Sequence, residues 1–104
     1  MTLKKKTGTI ALGTIRVIEF ASPSDESFTI QLLSSDLSAD TTFTLEQSMD
    51  GTNWDVSEES GTEISETLSQ ATTYCKSFDC DAGVYFRINF AGSTTGDVDY
   101  VINI

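Results

Sequence analysis

The sequence predicts an all-β protein, an antiparallel two-sheet β-sandwich of Ig-like or jelly-roll-like type with about seven or eight short strands. Three observations predict it. Apolar residues recur at every second position in several separate segments, the period of a strand with one wet face. Thr and Ser supply 28 of the 104 residues and Pro only one, which suits short strands with polar outer faces. Turn residues punctuate these segments, and no stretch between them carries a sustained helical period.

Taken in order, Thr9 to Ala21 is rich in β-branched residues and apolar on both parities. Ile10, Leu12, Ile18 and Phe20 share one parity and Ala11, Ile15 and Val17 the other. A bend or bulge near Gly13 is expected to split the segment. Ser22-Pro23-Ser24-Asp25 reads as a turn, since Pro cannot donate to a ladder. Glu26 to Leu33 alternates cleanly, with Phe28, Ile30 and Leu32 on the buried face. Ser34 to Asp40 is a polar connection with Leu37 as its one large apolar group.

The most legible stretch is Thr41 to Val56. Phe43, Leu45, Gln47 and Met49 alternate with Thr42, Thr44, Glu46 and Ser48. Asp50 and Gly51 form the structural turn of a hairpin, because both tolerate positive φ, and Trp54 and Val56 resume the alternation. A lone hairpin is marginal in water, so other strands must cover it. Ser57 to Gln70 is the least periodic part, with a short strand expected around Glu63 to Leu68. Thr72 to Phe78 is a strand, Asp79 to Gly83 a turn, and Val84 to Phe90 and Val98 to Ile104 close the chain as a hairpin around the Ala91 to Gly96 loop. Strand order does not follow from these patterns.

A chain of 104 residues supports one two-layer core. We read residues 1–8 as a basic N-terminal arm and residues 9–104 as a single β-sandwich domain. The net charge is −10, and because Lys4, Lys5 and Lys6 are three of the six basic residues, residues 7–104 carry −13. Such a body repels phosphate backbones, so no nucleic-acid partner is expected. No apolar run approaches the roughly eighteen residues of a membrane span, and none follows the lysines as in a secretory signal. The expectation is therefore no membrane partner and synthesis in a cytoplasm. The acid excess favours solubility or docking on a basic protein surface.

The chain has no His, which removes the usual general base near neutral pH and the commonest metal ligand. Nothing selects two of the sixteen acids as a catalytic pair. The expectation is no enzyme, no catalytic residue, no metal and no cofactor. Asp50, Asn53 and Asp55, helped by Glu58 or Glu59, could offer oxygens to calcium, but the EF-hand spacing is missing and turn chemistry accounts for them. Trp54, Tyr74, Tyr85 and Tyr100 could form a sugar-stacking platform or simply pack. Cys75 and Cys80 could close a short disulfide loop or stay free thiols, the expected state in a reducing cytosol. Lys4, Lys5 and Lys6 are a possible partner contact, reaching an acidic neighbour alongside the strand Ile10 to Phe20, which either makes a subunit contact or is core on both faces.

The strings LEQSMDGTNWDV, then QATTY, then VYFRINFAGSTTGDVDYVINI resemble small β-sandwich proteins among the virion components of tailed bacteriophages. There a hairpin of the form S-x-DGTNW precedes a Y-x-RI/V strand and a GTTG-type loop. The resemblance covers residues 41–104, and the cysteine pair departs from it. It implies a non-enzymatic structural component of the virion, made in the host cytoplasm. The expected role is a capsid auxiliary, or decoration, protein bound to a capsid or other virion protein. A homo-oligomer is compatible with it. The alternatives are a tail or fibre component and a carbohydrate-binding β-sandwich module.

Overall fold

Alternation becomes pairing in the computed structural model, which describes residues 5–21, 27–79, 84–92 and 94–103. Its strands are β1 (Lys5–Ala11), β2 (Val17–Ala21), β3 (Ser27–Leu33), β4 (Thr41–Ser48), β5 (Asp55–Val56), β6 (Glu58–Glu59), β7 (Thr62–Glu63), β8 (Ser65–Leu68), β9 (Thr73–Asp79), β10 (Tyr85–Phe90) and β11 (Asp97–Asn103). Sheet I has the order β1-β11-β3-β9, and sheet II the order β2-β10-β4, with β5 and β8 both pairing with β4. β6 and β7 form a separate two-stranded ribbon.

Setting aside β5 and the ribbon leaves eight strands whose pairing has a simple rule. The first pairs with the last (β1 with β11), the second with the seventh (β2 with β10), the third with the sixth (β3 with β9) and the fourth with the fifth (β4 with β8), all antiparallel. This is one long ribbon folded over and rolled, and the pairs β11-β3 and β10-β4 close it into two sheets. Such a roll is the jelly-roll arrangement of two Greek keys. It decides between the two sandwich types expected from the sequence, because an Ig-like fold pairs its first strand with its second, whereas here the first pairs with the last.

The core lies between the sheets. All six phenylalanines are buried, and they gather at two places. Phe28 of sheet I touches Phe20 and Phe86 of sheet II at 5.2 and 4.9 Å between ring centroids. Phe43 meets Tyr74 edge-on across the layers at 5.2 Å. Ile30, Leu32, Leu45, Ile88, Val98 and Ile102 are also fully buried. Burying a Phe or Leu side chain contributes about 1.5–3 kcal/mol, so the phenylalanines that join the layers hold them together.

Several expectations need correction. The segment Thr9 to Ala21 does break near Gly13: Thr14 and Ile15 N–H both donate to the Ala11 carbonyl, and β1 and β2 enter different sheets. Only one parity is core, however. Ile10, Leu12, Ile18 and Phe20 are buried, whereas Ala11 is exposed and Ile15 is 51% exposed. The reason is that a two-layer sandwich covers only one face of each strand, and Ile15 lies in the bend between β1 and β2. The boundary of the basic arm also moves. Lys5 to Gly8 pair with Asn103 to Tyr100 and so belong to the sheet; Lys4 lies outside the described residues.

Met49 does not continue the buried face of β4 and is 77% exposed, while Ser48 is buried. The Ser48 hydroxyl turns inward to accept from Gly51 N–H at 2.9 Å and to donate to Asp50 Oδ1 at 2.8 Å, which ends the alternation. The return strand is also shorter than expected: β5 is only Asp55–Val56, paired with Gln47 and Glu46. The turn Ser22 to Asp25, Cys80 and most of the Asp79 to Gly83 turn lie outside the described residues.

Candidate functional site

Turn chemistry organises the loop between β4 and β5. Gly51 has φ of 75°, the left-handed region that costs an L side chain about 1–2 kcal/mol. Asp50 Oδ1 accepts N–H groups of Thr52 and Asn53, each at 2.8 Å, and Oδ2 accepts from Asn53 Nδ2 at 2.7 Å. Those hydrogen bonds, Asn53 N–H foremost, then Thr52 N–H, the Asn53 amide and Ser48, hold the Asp50 carboxyl well below the usual carboxylate range. Both its oxygens are thus committed to the turn rather than pointed at an ion. Among the described residues no three His, Cys, Asp or Glu side chains converge as a metal site.

On the outer face of sheet II, Glu46 and Arg87 sit directly opposite each other on β4 and β10. Arg87 Nε donates to Glu46 Oε1 at 2.5 Å, and Asn89 Nδ2 to Glu46 Oε2 at 3.3 Å. The guanidinium lies 4.5 Å from the centre of the Trp54 ring. That stacking pins the loop onto the sheet. The four aromatics considered as a platform therefore divide. Trp54 and Tyr85 belong to the outer face of sheet II, where Tyr85 is 47% exposed. Tyr74 and Tyr100 pack against the core from sheet I, opposite Leu32 and Gly8 respectively. Burial, then the nearby carboxylates of Glu66 and Glu59, raise the Tyr74 hydroxyl above its ordinary pKa.

A cleft of about 420 Å³ lies beside the turn, lined by Gln47, Ser48, Met49, Asp50, Asn53, Asp55 and Val84. Of its two carboxylates, that of Asp50 is already taken up by the turn.

The two open sides of the sandwich differ in charge. On one side Lys6 crosses from β1 so that Nζ donates to the Glu19 carbonyl of β2 at 2.7 Å. On the other, Lys76 of β9 meets Glu66 of β8 at 3.0 Å and Glu59 of β6 at 3.7 Å. The hydrogen bond to Glu66 comes first among the causes that raise the Lys76 pKa. Glu58 and Glu63, on the same ribbon as Glu59, are exposed. That ribbon went unseen in the sequence because two-residue strands have no period. Its one signal is Ser60-Gly61, which turns with φ of 54° and 80°. Cys75 is a free, exposed thiol on β9, and its pairing with Cys80 falls outside the described residues.

No protein-family model, curated protein or solved structure matches the chain.

Proposed function

We propose that the protein is a non-enzymatic structural component of a bacteriophage virion, a capsid auxiliary or decoration protein seated on the capsid surface after synthesis in the host cytoplasm. The observation that carries this reading is the jelly-roll pairing of a small domain, an architecture used by viral capsid proteins. The step from fold to role is an analogy. The phage-like strings of residues 41–104 support it independently. So does the use of the conspicuous polar groups: Asp50, Arg87, Glu46 and Lys76 are all spent on turns, loops and edges. Lys4, Lys5 and Lys6 supply the contact to an acidic neighbour, with Lys5 exposed on edge strand β1 and Lys6 beside it, its Nζ on the Glu19 carbonyl.

Mass spectrometry of purified particles of the encoding phage tests the reading. Many copies per particle are expected, and absence from the particles contradicts it. A carbohydrate-binding module is the second reading, favoured by one observation: jelly rolls also serve as lectins, and Trp54 and Tyr85 share the outer face of sheet II. On a glycan array that reading expects binding lost in Trp54→Ala, while an array without binding removes it.

A further inference from the structure

We infer that the acidic neighbour of the lysine-bearing edge is a second copy of this chain, joined head to tail through β1 of one copy and β9 of the next. This deepens the virion reading by naming the partner of the Lys5 and Lys6 edge.

An edge strand exposes a row of unpaired backbone groups and is a template for another strand. Among the described residues, β1 pairs only with β11 and β9 only with β3. Each is seven residues long, and neither contains Pro. Directions also fit. All three pairings in sheet I are antiparallel, so β9 runs opposite to β1. A copy placed beside the first in the same orientation therefore offers its β9 antiparallel to β1.

Register follows from the faces. β1 turns Lys6, Gly8 and Ile10 toward the core side, and β9 turns Tyr74, Lys76 and Phe78. Because a one-residue slip sends every side chain to the wrong face, only registers matching these sets are allowed. The full-length overlap sets Lys5 opposite Asp79, Thr7 opposite Ser77, Thr9 opposite Cys75 and Ala11 opposite Thr73. Sliding by two residues toward Ser77 would place Lys6 opposite Lys76, a like-charge pair that destabilises. The full overlap instead pairs opposite charges. Charge complementarity extends beyond the strand, because Glu59 and Glu66 flank Lys76 on the β9 side while Lys5 and Lys6 lie on the β1 side. The contact uses two different surfaces, so it is heterologous and builds a ring or a filament.

Thr9 and Cys75 give the test its register. Directly opposed residues bring their Cβ atoms to about 4.5–5.5 Å, close to the separation a disulfide needs. Thr9→Cys in a Cys80→Ser background, oxidised at several protein concentrations, is expected to give a ladder of disulfide-linked multimers on a non-reducing gel. The ladder should disappear with Cys75→Ser, weaken with added Lys5→Glu or with salt, and be largely lost when the new thiol stands at Thr7 instead. The parent should sediment as a concentration-dependent mixture. A parent that stays monomeric with no ladder, or a ladder as strong from Thr7→Cys as from Thr9→Cys, overturns the inference. Detection of the protein in particles is scored separately. A register-specific ladder without particle incorporation leaves head-to-tail pairing standing and removes the virion reading; incorporation without a ladder does the reverse.

Discussion

Sheet I ends on two uninterrupted seven-residue strands, β1 and β9. Sheet II ends on the five-residue β2 and, at its other side, on β8 and β5, which divide the edge of β4 between them. The β6-β7 ribbon leaves that edge where Ser57 N–H donates to the Leu45 carbonyl and Leu45 N–H to the Ile64 carbonyl. Short or broken edges are among the ways proteins avoid unwanted strand addition. One layer of this sandwich thus presents only short or divided edges, while the other presents two unbroken ones.

The two sheets differ in their edges and not in their cores, and the largest expected effect checks that. Phe28→Ala in sheet I and Phe86→Ala in sheet II both cut into the aromatic contact at 4.9 Å that joins the layers. Each should cost about 3–5 kcal/mol in denaturant unfolding. A loss from one and not the other would mean that the sheets are unequal in their cores as well.

Next in size is Gly8→Val, which asks how β1 is held. A Cβ at Gly8 would lie 2.7 Å from the Tyr100 hydroxyl oxygen, so the strand must lift or the ring must move, at about 1–3 kcal/mol. Thermal unfolding should fall accordingly and the β1-dependent ladder should vanish. An unchanged melt would show that β1 contributes little to the fold. In sheet II the matching probe is Gly51→Val at φ of 75°, expected to cost about 1–2 kcal/mol without touching self-association. A melt equal to that of the parent contradicts it.

The smallest effect is one of shape. The folded Asp50 carboxyl titrates below its ordinary value of 3.8, so its contribution is present above that value and is lost as pH falls below it. Asp50→Asn keeps an acceptor but no charge. Its stability should therefore decline less steeply than the parent's below pH 3.8, read from urea unfolding at a series of pH values. Equal slopes would remove Asp50 from the account.

How much of this was legible in the sequence depends on the range of the interaction. Period-2 patterns placed Phe28, Ile30 and Leu32 and Phe86, Ile88 and Phe90 on buried faces, because alternation is written in neighbouring residues. The turn at Asp50 and Gly51 was legible for the same reason. Strand order was not, since β1 meets β11 between residues such as Thr9 and Asp99, 90 positions apart. Met49 misled because period alone cannot reveal that Ser48 would turn inward to cap the loop. Lys76 was legible only as part of a strand, and its role in bridging β9 to Glu66 of sheet II and Glu59 of the ribbon required elements distant in the chain. For the candidate contact, the lysines were legible as charge; their place on an unpaired edge was not.

Amide hydrogen exchange on the parent protein, followed from dilute to concentrated solution, tests most directly the claim that sheet I alone is open for pairing. Backbone amides of β1 and β9 should gain protection together as concentration rises, with β2, β5 and β8 unchanged. Protection that grows along β2, β5 or β8, or nowhere, would contradict it.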